Sequence, residues 1–187
     1  MSNNDEKLTR GHWMTLAAAL LGWLFDGAEM GVFSLVGRPA LKDLLNTTDE
    51  GKVAFWFGAV TAGFLVGAAT GGVLFGWLGD RLGRVKAMIL SVLTYAVFSG
   101  LCGFATSPTQ IGILRFIAAL GMGGEWSLGV ALINEIWPGK SRAFLAGLIG
   151  AAANVGYLII ALVGGAVIAN VQHVREFFLQ SGLSESW

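Results

Sequence analysis

Four residues of chemically active types stand inside long apolar runs of this sequence: Asp26, Glu29, Arg115 and Glu125. Asp26 and Glu29 are three positions apart, so on a helix they share a face. Two carboxylates that close in a low dielectric cannot both stay ionised cheaply, which makes one of them a candidate to bind and release a proton. Arg115 is permanently charged, and its planar guanidinium forks onto carboxylates. It can hold an acidic substrate, tune a proton site, or pair with Asp26 or Glu29 across helices. Glu125 follows Arg115 by about 15 Å along a helix and about 80° around it, so the two form no ion pair within one helix. Trp126 falls only about 20° from the Arg115 face. Asn134 and Asn154 are polar positions in similar runs. Inter-helix hydrogen bonding is the first reading for both, and substrate contact the second.

The elements that carry these residues follow from composition. Of 187 residues, 55% are hydrophobic and 13% charged, and 28 are glycine. A soluble domain usually carries about a quarter charged residues. Mean hydropathy is +0.67. The composition is that of an integral membrane protein. Net charge is zero, so no basic patch points to nucleic acid. Cys102 is the single cysteine and has no partner for an internal disulfide. His12 and His173 are far apart, so no metal site is expected. No cofactor motif is visible, and "GLIGAAANVG" lacks the preceding strand that a dinucleotide site needs.

About 20 apolar residues cross a bilayer as a helix. Five candidate spans run roughly over 13–36, 53–79, 87–105, 110–136 and 143–171. The segment between the first two holds Lys42, Asp43, Asp49, Glu50 and Lys52 and is expected to be aqueous. Three regions result: a tail over 1–12, a five-helix bundle over 13–172, and a stretch over 173–187 that is either the truncated start of a sixth helix or a polar tail. With the N-terminus inside, Lys7, Arg10, Arg81, Arg84, Lys86, Lys140 and Arg142 fall on the inner side. Arg38, Lys42, Lys52 and Arg175 fall outside, a bias that favours a cytoplasmic N-terminus. Trp13, Trp56, Trp77 and Trp137 lie near span ends, as interfacial anchors do. Small residues at four-residue spacing mark helix contacts. They are Gly63, Gly67 and Gly71 in the second span, and Gly121 and Gly129 around Glu125 in the fourth.

The loop "GWLGDRLGRVK" joins spans two and three. It closely resembles the G-x-x-x-D-R-x-G-R-[RK] signature between helices two and three of the major facilitator superfamily. Gly76, Asp80, Arg81, Gly83, Arg84 and Lys86 match, the last as a lysine one place late. In that family the loop aspartate and arginine join a charge cluster at the inner helix ends that holds the inner gate closed. Glu135 and Arg142 match positions that would join it. "RFIAALGMGGEW", beginning with Arg115, matches the family's fourth-helix pattern. "GGEW" and "INEIWPGKSRA" look like the proton-coupled organic-acid branch, which carries sialic acid, lactate, aromatic acids and related metabolites. "FDGAEMGVFSLVGRPAL" resembles the first helix of that branch, with Glu29 where a second aspartate is common.

The resemblance covers about residues 13–180. It implies an all-α membrane protein with five transmembrane helices, an incomplete N-terminal six-helix half of the major facilitator fold. It implies no enzyme. The implied function is transport of a small organic acid by proton-coupled alternating access, as part of a complete transporter. The implied partners are the lipid bilayer, the acid, protons and a second transporter half. The implied place is the cell membrane, crossed several times from a cytoplasmic N-terminus. Asp26, Glu29, Arg115, Glu125, Trp126, Asn134 and Asn154 are the residues expected to couple protons or line the cavity. Two other readings stand beside this one: a truncated fragment that does not transport, and a small membrane scaffold that packs against a partner through its glycine faces.

Overall fold

The computed structural model describes residues 9–137, 141–173 and 176. Lys7, Lys140, Arg175 and most of the 173–187 stretch lie outside the described residues. The described residues form five long helices: α1 Arg10–Leu44, α2 Glu50–Leu82, α3 Arg84–Leu101, α4 Pro108–Ile136 and α5 Arg142–Ala169. All five are long and apolar enough to cross a membrane. Between α3 and α4 the chain tightens into a short 3₁₀ turn over Cys102–Phe104.

Local chemistry sets the helix ends. Asp49 caps α2, accepting from the backbone N–H of Gly51 at 2.9 Å and of Lys52 at 3.3 Å. Ser107 caps α4, with Pro108 at the first helical position, where a missing N–H costs nothing. The Gln110 side chain reaches back to the Thr106 N–H at 2.8 Å. Helix α1 extends beyond the expected 13–36. Its 35 residues give about 50 Å, well over a hydrocarbon core of about 30 Å. Lys42 and Asp43, expected in an aqueous connection, ride its last turn, and Lys42 pairs with Glu50 at 2.9 Å across the turn. The stretch expected as a loop over 76–86 is helical except at Gly83, whose φ of +92° ends α2 and starts α3.

Helix α4 is the most buried of the five and forms the centre of the bundle. It packs on α2 and α3, while α1 packs on α5. With lipid as apolar as the side chains, close backbone approach drives such contacts. A Cβ at Gly67 would press on the Phe116 carbonyl, and one at Gly71 would overlap that of Leu120, so both serve α2–α4 packing. Gly63, expected in the same contact line, faces open space. Gly121 meets α3 at Ser91 and Tyr95, and Ser91 Oγ donates to its carbonyl at 2.5 Å.

Near the starts of α1 and α5 and the end of α4, Leu16, Ala19, Ile133, Trp137, Leu145 and Ile149 form a buried apolar cluster. Trp137 is only 3% exposed, with Trp13 edge-on to it at 5.5 Å. It therefore closes this cluster and is not the interfacial anchor its place near a span end suggested. Trp13 and Trp77 are exposed. Large apolar side chains such as Phe55, Val73 and Phe104 stand outward over the bundle, as a lipid-facing surface requires.

Candidate functional site

Arg115 projects from the first third of α4 toward α1. Its Nη1 donates to Glu29 Oε1 at 2.6 Å and its Nη2 to Glu29 Oε2 at 3.4 Å, a two-pronged pair joining the helices. The guanidinium lies over the Phe33 ring at 3.8 Å and near the Phe64 ring at 4.9 Å. Aromatic faces attract a cation, by up to about 2 kcal/mol where water is excluded. Ser99 Oγ of α3 donates to the same Glu29 oxygen at 3.4 Å. Pairing with Glu29 is thus the outcome among the options open to Arg115, and its Nε has no partner among the described residues.

Asp26 lies one turn before Glu29 and is 1% exposed. Neither of its carboxylate oxygens has a hydrogen-bond partner among the described residues. It lies in the field of Glu125 first and of Glu29 second. Glu125 is also buried, and its carboxylate rests on the backbone of Gly22 in α1. The glycine that admits Glu125 is therefore on the facing helix. Gly121 instead serves α3, and Gly129 makes only ordinary contact with Met88 and Ala19.

The two sides of this cluster open on two cavities. One, of about 510 Å³, is lined by Gly22, Tyr95, Ser99 and Glu125, among others. The second, of about 530 Å³, is lined by Glu29, Phe33, Ser99, Cys102 and Arg115, among others. The remaining predicted residues stand apart from the buried charges. Trp126 is half-exposed, with its ring 6.2 Å from that of Trp23. Asn134 and Asn154 are both exposed, at odds with the inter-helix bonding expected first.

Residues of the 76–86 motif build a second charged group where α2 ends and α3 begins. Arg84 Nη2 meets Asp80 Oδ1 at 2.7 Å and Arg84 Nε meets Glu135 Oε1 at 2.8 Å. Arg84 Nη1 also donates to the Gly76 carbonyl at 3.3 Å. This holds the start of α3 against the ends of α2 and α4. Glu135 and Asp80 together keep the Arg84 guanidinium protonated even more firmly than usual, the hydrogen bond that Glu135 accepts contributing most. Arg81 turns aside onto the Trp77 ring at 4.4 Å. Arg142, expected in the cluster, donates instead to the Trp137 carbonyl at 2.6 Å. Lys86 is exposed.

Several contributors carried no signal that reading along the chain would catch. Phe33 is four residues after Glu29, a spacing that could have found it. Phe64, Ser99, Tyr95 and Gly22 are ordinary residues of apolar runs, and only helix packing brings them to the charges.

A bundle of apolar helices with lipid-facing surfaces, a buried charge cluster and cavities beside it is a multi-pass membrane protein. Residues 18–184 match the Major Facilitator Superfamily, and the chain belongs to that family. It is 33% identical over 170 residues to the cis,cis-muconate transport protein of Acinetobacter baylyi, covering 89% of this chain and 40% of that protein. It is 36% identical over 157 residues to the gentisate transporter of Corynebacterium glutamicum, covering 82% of this chain and 34% of that one. The niacin transporter of Acinetobacter baylyi is 33% identical over 157 residues, with 84% and 34% covered. The chain thus spans little more than a third of the curated relatives it matches. Its fold is similar to that of a bacterial homolog of the human lysosomal transporter Spinster. The TM-score is 0.73 at 24% identity, covering 95% of this chain and 36% of that one.

Proposed function

We propose that this chain forms one wall of the substrate path in a proton-coupled transporter of small organic acids, set in the cell membrane with its N-terminus in the cytoplasm. The observation that carries the reading is the charge arrangement at mid-bundle. Arg115 is held by Glu29, while Asp26 and Glu125 are buried and form no ion pair among the described residues. Buried carboxylates in that position accept protons more readily than they stay charged. Arg115, set between two rings, is a cation that an acid's carboxylate can reach if Glu29 lets go. Protonation of the carboxylates and arrival of an acidic substrate at Arg115 then support one another, which is the requirement for symport.

The inner group of Asp80, Arg84 and Glu135 acts as the latch of an inner gate, since it ties three helix ends by exposed contacts that separate at little cost. Trp126 faces the substrate path beside Trp23. The cavity is completed by a second transporter half facing this bundle. The names of the relatives suggest an aromatic or unsaturated carboxylate. Uptake of benzoate, gentisate and nicotinate into vesicles carrying the complete protein, with and without an inward proton gradient, tests the reading. Uptake driven by the gradient and lost in Asp26→Asn supports it. Absence of uptake of all three acids, with the protein co-purifying with another membrane protein, supports a scaffold instead.

A further inference from the structure

Two helix pairs in this bundle meet through the same contact. Between α1 and α5, a Cβ on Gly27 would overlap the Ala153 carbonyl, and one on Gly156 would overlap that of Leu24. Between α4 and α2, a Cβ on Gly123 would overlap the Ala68 carbonyl, and one on Gly71 would overlap that of Leu120. The register is constant: 123 − 27 and 120 − 24 both give 96, while 153 − 68 and 156 − 71 both give 85. A two-fold operation therefore exchanges α1 with α4 and α5 with α2, in the manner of the inverted repeats of secondary transporters. The sequence keeps a trace of it in Gly27-Ala28-Glu29 and Gly123-Gly124-Glu125.

The same shift of 96 carries Glu29 onto Glu125, and Ala19 onto Arg115. Under the two-fold, the contact between α1 and α4 maps onto itself. The twin of the Glu29–Arg115 pair is thus Glu125 with residue 19, which is alanine. Ala19 is 3% exposed and brings no charge. Among the described residues, Asp26 of α1 and Tyr95 of α3 are the titratable groups beside Glu125, with Glu29 of α1 and Arg115 of α4 beyond them around Asp26 and Tyr95. Helix α2 over 53–79 and α5 over 143–169 hold no acidic or basic residue. Arg115, the cation of this group, is engaged by Glu29. Glu125 lines the cavity of about 510 Å³ between α1 and α3.

We propose that the repeat has divided the work of its two equivalent glutamates. Glu29 is the fixed counter-ion that positions Arg115. Glu125, with alanine at its partner position, is the carboxylate that exchanges a proton with the cavity and shares it with Asp26.

The assignment rests on the proton-coupled reading above, and its test separates the two. The complete protein is placed in lipid nanodiscs, and the infrared carbonyl band of protonated carboxylic acids is followed through a pH titration. Glu125→Gln is expected to remove a titrating component, Glu125→Asp to keep one at a shifted midpoint, and Glu29→Gln to leave the component in place. Far-UV circular dichroism checks that each variant is folded. A component that survives in folded Glu125→Gln, or vanishes in folded Glu29→Gln, overturns the division. Should Glu125→Gln not fold, loss of the component in Glu29→Gln still decides against it, and its persistence there with a shifted midpoint in Glu125→Asp decides for it. Benzoate uptake by the unaltered protein is the separate arm. Its absence defeats the transport reading while the titration still reports which carboxyl takes the proton.

Discussion

The carboxyl group of Glu125 occupies the space that a side chain at Gly22 would fill, so α4 reaches α1 at mid-bundle through a polar group resting on a bare backbone. A methyl group at position 22 must displace the carboxylate. The displaced atoms are the end of a flexible side chain, so the cost is that of a rotamer change, about 0.5–1.5 kcal/mol. Gly22→Ala is therefore expected to lower thermal stability only slightly while sharply reducing proton-driven uptake. A folding defect that accounts for the whole loss of uptake would show that the contact is structural alone.

The four repeat-related glycines should respond differently. At Gly27, Gly71, Gly123 and Gly156 an alanine would meet backbone that cannot step aside. Each substitution is expected to cost about 1–3 kcal/mol by overpacking. Gly63→Ala, where nothing lies within 4 Å, is expected to be neutral or mildly stabilising. Thermal unfolding in detergent, scored side by side, checks the contrast. Equal effects at Gly63 and Gly71 would contradict the packing described.

Arg115→Ala strands Glu29 in the bundle. Removing one member of a buried pair costs about 3–5 kcal/mol, because the other charge is left uncompensated. The side chains here are 7% and 18% exposed, so little screening relieves it. Adding Glu29→Gln should restore much of the loss, and the double-mutant cycle measures the coupling. Arg115→Lys keeps the charge but loses the fork and the flat contact with Phe33, so partial loss of stability is expected.

Where α2, α3 and α4 meet, Glu135→Gln removes the ion pair with Arg84, whose two side chains are 50% and 23% exposed. Such a pair is worth about 0.2–1 kcal/mol, after allowance for solvent. The expected outcome is a small fall in melting temperature that shrinks further at high salt. If the group latches an inner gate, a cysteine placed at Asp80 should also be labelled faster from the inner side in Glu135→Gln than in the parent. Unchanged labelling would leave the group as a staple.

Much of this architecture was legible in the residues. Asp49 and Ser107-Pro108 announce helix starts, and five long apolar runs announce five spans. The 76–86 motif pointed to a charged group, and Asp80, Arg84 and Glu135 are paired there. Two details were not legible. Arg142 was assigned to that group by matched position, but its guanidinium is taken by the nearby Trp137 carbonyl. Trp137 looked like an anchor because it ends a span, yet the first turns of α1 and α5 close over it.

The identities and spacings of residues along this chain determined that it crosses a membrane as helices, and that Asp26, Glu29, Arg115 and Glu125 must be sheltered from lipid. A helical period says which side chains share a face, and hydrocarbon penalises any charge on the outer one. Which charge met which was decided only by the fold. Glu29 took Arg115, Glu125 took Gly22, and Asp26 took no one, because glycine contacts on α1–α5 and α2–α4 set the depth at which each helix slides against the next. Period names a face, and only packing names the neighbour on it.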